Sequence, residues 1–425
     1  MPPAIARAPE AFRLGPGPSP EAVACALQAQ GAPGLAWLDG SGWGRDLLTA
    51  WPAGKRVSRP SQGDPLPALE ALLGRGLVLL AAGYDLGGRM DRFPRRALDD
   101  LGEPELEAVL YPGALLHDGK AWWSLGDPPV DLLKVLLTAR DPGEPAPSPA
   151  PGALERNFSH EGFRAAVAEI LRLIFDGEIY QANLAQRFRM AVAENPLGIY
   201  RRLRRIAAAP YGAFLDWGQG ALLSASPELF LEVTGRRVLT RPIKGTRPRG
   251  RTSEEDAGLV AELEASRKDR AELAMIVDLE RNDLGRVCVP GSIRVEVPRR
   301  LMSIPTVHHA WAEVSGTLRE GKGLVDLLKA AFPGGSVTGC PRIRAMEVID
   351  SLEPTRRGIY CGAVGWAYGG DCRLNLAIRT LSVAEGRATL HAGAGIVADS
   401  DPQAEYLETL DKARGMLEAL GAARL

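Results

Sequence analysis

The chain has 425 residues, room for two ordinary domains or one large composite one, and at 45% hydrophobic and 24% charged it has the composition of a soluble globular protein. Lysine and arginine total 51 against 52 acidic residues, so no overall field favours nucleic acid or an anionic membrane. The cysteines (Cys25, Cys288, Cys340, Cys361, Cys372) form no CxxC pair and are odd in number, which argues for reduced thiols rather than a disulfide framework or a zinc site.

The opening MPPAIARAPEAFRLGPGP lacks the apolar centre of a signal peptide. The longest apolar run, LVLLAAG at 77–83, is too short to span a bilayer, so a cytoplasmic location without membrane contact is expected. Residues 1–140 carry short apolar segments among many glycines and prolines, with no long helical period. The Pro-rich stretch 141–155 reads as an extended linker, and the remaining 156–425 has sharper patterning. HEGFRAAVAEILRLIFDGEI sets Phe163, Val167, Ile170, Leu171 and Ile174 on one helical face. GAFLDW, ELFLEV and RVLTRPI follow as strands, and helical pattern resumes over Glu254–Leu284. SIRVEV, HAWAEVSGTL, YCGAVGWAY, LNLAIRTLSV and RATLHAGAGIV read as further strands. A last helix opens with Asp401 as cap and Pro402 in its first turn. Strands in consecutive runs favour α+β with antiparallel sheets.

Several stretches could carry chemistry. Asp269 and Glu272, and again Glu405 and Glu408, are three apart on predicted helices and share a face. They are either solvated faces or oxygen donors suited to magnesium. AFPGGSVTGCPRIRAME is a glycine-rich turn running towards a helix, either a tight turn or an anion cradle. His308 and His309 are adjacent in a strand, which predicts one exposed and one inward ring. In RPIKGTRPRG, Lys244 stands among Arg241, Arg247 and Arg249, whose positive potential would favour the neutral amine. The loop fits an activated nucleophile or a simple anion site.

Taken together, GEIYQANLAQRF, SASPELFL, RPIKGTRPR, KDRAELAMIVDLERNDLGRV, PGGSVTGCPRIRAMEVIDSLEP, YCGAVGW, IRTL, AGAGIVADSDPQAEYLET and DKA resemble the chorismate-utilising enzymes. That family includes component I of the aminodeoxychorismate and anthranilate synthases, and the isochorismate and salicylate synthases. The resemblance is dense from Phe158 onwards and weaker over 1–140, where LDGSGWGRD and GYDLGGRMDRFP match loosely. It implies an α+β body of two antiparallel sheets packed as an orthogonal sandwich with helices outside. It also implies that the Pro-rich segment joins two halves of one intertwined body. In relatives the N-terminal region can bind tryptophan, although LDGSG departs from the usual pattern.

The resemblance also implies roles. Gln181 stands where the water-using members carry a lysine base, and PIKGT is the form found in aminodeoxychorismate synthases, where anthranilate synthases read PIAGT. Lys244 would attack C2 of chorismate, Glu228 would protonate the departing C4 hydroxyl, and His309 would be the active-site histidine. Gly245, Thr246, Ser336, Tyr360, Arg379, Gly393, Ala394 and Gly395 would line the substrate site. Magnesium would be bound by Glu272 and Glu408, with Asp269 and Glu405 supporting. No region resembles a glutamine amidotransferase, so a separate subunit or solution would supply the ammonia.

Overall fold

In the computed structural model the described residues are 11–40, 46–58, 63–91, 95–149, 152–305 and 307–422. The first ten residues, positions 41–45 of the LDGSGWGRD stretch, the end of GYDLGGRMDRFP and residues 150–151 of the Pro-rich segment lie outside them.

Among the described residues the strands form one 12-stranded and one 10-stranded sheet, and every pairing between named strands is antiparallel. Between the sheets lies an apolar layer from both: Leu47, Leu116 and Leu215 on one side meet Leu79, Val109 and Trp366 on the other. Helices cover the outer faces. Those at Pro20–Ala29, Val130–Thr138 and Pro196–Ile206 lie on the larger sheet, and those at Arg267–Gly285 and Leu324–Ala331 on the smaller. The α+β arrangement expected from the strand runs is therefore present.

Residues before the Pro-rich segment enter both sheets. Ala36–Asp39 pairs with Tyr211–Asp216 in the larger, and Leu77–Ala82 pairs with Ala363–Tyr368 in the smaller. These residues also contain two full helices, which the sequence reading passed over because each is only nine or ten residues long.

Locally the chain follows its pattern with a few corrections. Ser159 caps His160–Phe175 by accepting from Gly162 N, and Phe163, Val167 and Ile170 are buried as expected. Leu173 and Ala166 complete that face, while Leu171 and Ile174 lie at its margin. The helical stretch after Glu254 is two helices, Ser253–Ala265 and Arg267–Gly285, because Ser266 ends one and caps the next. LNLAIRTLSV is two strands in different sheets. The glycine-rich turn does not run straight into a helix: Gly339–Cys340 first pairs with Gln181–Ala182.

Candidate active site

Two side chains arrive where the chain crosses from one sheet to the other. Ala221–Ser226 lies in the larger sheet and Leu229–Thr234 in the smaller, with Glu228 in the step between them. Asp371–Leu376 and Thr380–Ala384 are divided in the same way, and Arg379 closes that step with φ 51°. The steps are tied together, since Leu376 N donates to Glu228 O at 3.1 Å.

A bulge presents the lysine. Ile243 pairs with Trp311 but Thr246 pairs with His309, so the Lys244–Gly245 segment holds one extra residue. Gly245 adopts φ 90°, and a Cβ there would lie 2.9 Å from Asp269 Cβ. Lys244 Nζ donates to Ser336 O at 3.0 Å. Burial lowers its pKa, against the pull of the Glu272 and Glu228 carboxylates. The arginines do not supply this effect. Arg241 pairs with Glu313, Arg247 with Glu262 and Asp269, and Arg249 with Asp256, so their charge is largely answered by carboxylates of neighbouring elements.

Glu228 is 4% exposed, and burial pushes its pKa up to about 7 against the Ser336 hydroxyl, which donates to Oε1 at 2.6 Å, and the Lys244 charge. Both histidines are buried, His308 at 1% and His309 at 2%, contrary to the alternation expected. Each face of their strand is covered: His308 meets Asp256 and Ser303, whereas His309 Nδ1 shares a 2.8 Å hydrogen bond with Thr246 Oγ1. Burial, with Arg379 next, lowers the His309 pKa to about 3, and its Nε2 has no hydrogen-bond partner among the described residues.

The opposite wall is the Arg387–Ile396 strand, paired with Gln181–Ala191 so that Gly395 faces Asn183 and Gly393 faces Ala185. A Cβ on Gly395 would lie 2.7 Å from Gln181 Nε2 and 3.5 Å from Lys244 Nζ. One on Gly393 would lie 2.9 Å from the Tyr360 hydroxyl and 3.0 Å from Asn183 Nδ2. The two glycines therefore keep open a space bounded by the lysine, two amides and a phenol. Tyr360 is itself held between the stacked His391 ring, 5.3 Å between centroids, and the Arg357 guanidinium. Among the described residues the Arg379 guanidinium has no hydrogen-bond or ion-pair partner, and burial lowers its pKa to about 10. An unanswered guanidinium beside such a space suits a carboxylate.

Four carboxylates line one side on two helices. Asp269 pairs with Arg247 at 3.2 Å, Glu405 accepts from Ser400 Oγ at 2.6 Å, and Glu408 pairs with Lys412 at 2.7 Å. Glu272 has no such partner among the described residues. Burial raises the Glu272 and Glu405 pKa values, and Glu408 adds repulsion to both. Burial also acts to raise Glu408, but Lys412, Lys268 and Lys244 outweigh it and lower its pKa. No three acidic, histidine or cysteine side chains among the described residues are gathered closely enough to hold a metal by themselves. Mutually repelling carboxylates still fit a magnesium ion that takes one or two protein oxygens and completes its shell with water and substrate.

The profile of the family described as chorismate binding enzyme matches residues 46–418. The chain belongs to the chorismate binding enzymes. Among curated proteins, the aminodeoxychorismate synthase component 1 of Klebsiella aerogenes is 41% identical over 364 residues, covering 84% of this chain and 80% of that protein. The anthranilate synthase component 1 of Thermus thermophilus is 40% identical over 369 residues, covering 82% and 78%. The crystal structure of anthranilate synthase component I from Streptococcus pneumoniae aligns with TM-score 0.79 at 30% identity, covering 88% of this chain and 92% of that one.

In this chorismate binding enzyme, then, Lys244, Glu228, His309, Tyr360, Arg379 and the Gly393–Gly395 strand come from distant parts of the chain to one seam. Ser336 lies beside Lys244 and Glu228. The sequence reading missed Lys412, whose Nζ donates to Gly393 O at 3.0 Å while pairing with Glu408. Its position one helical turn after Glu408, inside DKA, was the available signal. It also missed Asn183, whose buried Nδ2, like Gln181 Oε1, has no hydrogen-bond partner among the described residues.

A separate cavity of about 260 Å³ lies between the sheets, lined by Leu38, Asp39, Asp46, Tyr211, Trp311 and Trp366 among others. It does not contain the lysine site. All five cysteines are free, and among the described residues no helix is long and apolar enough to cross a membrane.

Proposed function

We propose that this chain acts as component I of an aminodeoxychorismate synthase, making 4-amino-4-deoxychorismate from chorismate and ammonia on the route to para-aminobenzoate and folate. One observation carries the reading. A lysine amine with lowered proton affinity and a carboxyl group with pKa about 7 meet on the same serine, Ser336.

In the proposed chemistry the lysine acts in its deprotonated form and the carboxyl in its protonated form. The neutral Lys244 amine attacks C2, the ring double bonds shift, and the C4–O bond breaks. Glu228 gives its proton to the departing hydroxyl, which leaves as water. The adduct nitrogen then returns a proton to the Glu228 carboxylate. Ammonia attacks C4, the C2–N bond breaks, and Glu228 reprotonates the lysine nitrogen as the new ammonium group loses a proton to solvent. Arg379, Tyr360, Lys412 and the backbone of Gly245, Thr246 and Gly393–Gly395 hold the two carboxylates, and neutral His309 supports Thr246. Glu272 and Glu408 would bind magnesium, with Asp269 and Glu405 behind them; bound there, the ion would clamp the ring carboxylate. Ammonia would come from a separate glutamine amidotransferase subunit in the cytoplasm.

Similar identity to anthranilate synthase components favours one rival, formation of the 2-amino isomer. The deciding assay is chorismate, magnesium and ammonium salt, with the product identified. The 4-amino product is expected, and a 2-amino product or no turnover would defeat the proposal. In the same assay Glu272→Gln and Glu408→Gln should each raise the magnesium requirement about tenfold or more. Added tryptophan tests the inter-sheet cavity as the tryptophan pocket of the N-terminal region. Neither binding nor inhibition would remove that assignment.

A further inference from the structure

Ser336 sits in the turn Gly335–Val337, 6% exposed, and uses its hydroxyl and its carbonyl internally. Its hydroxyl donates to Glu228 Oε1 at 2.6 Å and its carbonyl accepts from Lys244 Nζ at 3.0 Å. The turn itself is held firmly. Thr338 Oγ1 donates to Gly334 O at 3.0 Å, and Arg357 donates to Val337 O at 3.1 Å. A Cβ on Gly335 would lie 2.5 Å from Leu279 Cδ2, so the turn presses directly on the carboxylate-bearing helix.

We infer that Ser336 is a positioning residue that couples the amine nucleophile to the general acid through its carbonyl and hydroxyl. The inference rests on the reaction proposed above and adds a role to it. With one N–H committed to the Ser336 carbonyl, the lysine lone pair is directed away from the turn, towards the glycine strand. With Oε1 committed to the hydroxyl, Glu228 has Oε2 for the departing oxygen. One residue thus fixes the separation of the group that makes the C2–N bond and the group that protonates the C4 oxygen.

The hydroxyl also acts on the acidity of Glu228. The charged and titratable groups around that carboxyl are Lys244 and Lys412, which favour its ionised form, and Glu280 and Cys361, whose anions would oppose it. A donated hydroxyl hydrogen bond favours the carboxylate. In Ser336→Ala the carboxyl loses this donor, keeps its proton to higher pH and rotates more freely.

The test follows adduct formation on Lys244 by intact-protein mass spectrometry, with chorismate and magnesium but no ammonia, as a function of pH. For Ser336→Ala we expect a roughly tenfold slower adduct step and an alkaline limb displaced upwards by about one pH unit. Ser336→Thr, which keeps the hydroxyl, should restore the limb; if it folds poorly by thermal melting, Ser336→Cys takes its place as the hydrogen-bonding variant. A uniform rate loss with the limb unmoved would mean packing alone and overturn the inference. So would a rise confined to KM for chorismate, the mark of a substrate ligand. If the wild type forms no Lys244 adduct at all, the underlying reaction fails and the inference goes with it, an outcome distinct from an unmoved limb.

Discussion

His309 is neutral at physiological pH because its ring is enclosed and faces the Arg379 charge, and this has a consequence for stability. Its pKa falls from 6.5 to about 3 on folding, so below pH 6.5 the unfolded chain binds a proton that the folded one refuses. The contribution is fully present above pH 6.5 and is lost as pH falls towards 3, at about 1.4 kcal/mol per pH unit. By pH 5 the loss should reach about 2 kcal/mol. Other buried groups titrate too, including Glu228 and Asp46, so the comparison must be between wild type and His309→Gln. Urea midpoints at pH 7 and pH 5 should fall further in the wild type than in the variant. Equal falls would rule out His309 as the source. At the same scale, the lowered proton affinity expected of Lys244 is present but has another cause: the arginines near it in sequence are paired with carboxylates, and burial lowers the pKa.

At the scale of the element, the Arg387–Ile396 strand shows how a backbone can be part of a site. Gly395 has ordinary extended geometry, so alanine there is tolerated by the strand itself and fails only for what its methyl would meet. That methyl would stand 2.7 Å from Gln181 Nε2 and 3.5 Å from Lys244 Nζ, in the space proposed for the substrate. Gly395→Ala should keep its thermal midpoint within a few degrees while Lys244 adduct formation drops about a hundredfold or more. A variant that labels at the wild-type rate would show that the space is not used. The strand and its GAG spacing were legible in the sequence. Its partner was not, because register depends on a strand more than two hundred residues earlier.

At the scale of the whole molecule, residues on both sides of the Pro-rich segment share both sheets. Ala36–Asp39 and Leu77–Ala82 each pair with strands of the later region, so the core between the sheets is built from both parts. Limited proteolysis within 141–149 should leave two fragments that stay associated. The nicked protein should still unfold in one transition, with fluorescence and circular dichroism coincident. Two separable transitions, or release of an independently folded N-terminal fragment, would contradict this.

The sequence by itself determined the α+β class, the elements read after residue 158 and the residue types gathered at the candidate site, because these rest on local periodicity, capping and motif spacing. Asp401 does cap the last helix, accepting from Gln403 N and Ala404 N at 3.0 and 2.8 Å, as its place before Pro402 implied. Tertiary structure alone decided which strands switch sheets at Glu228 and Arg379, that both histidines are enclosed, and that Ser336 touches acid and amine together. These are matters of burial and of contact between residues far apart in the chain, and neither is written in the spacing of neighbours.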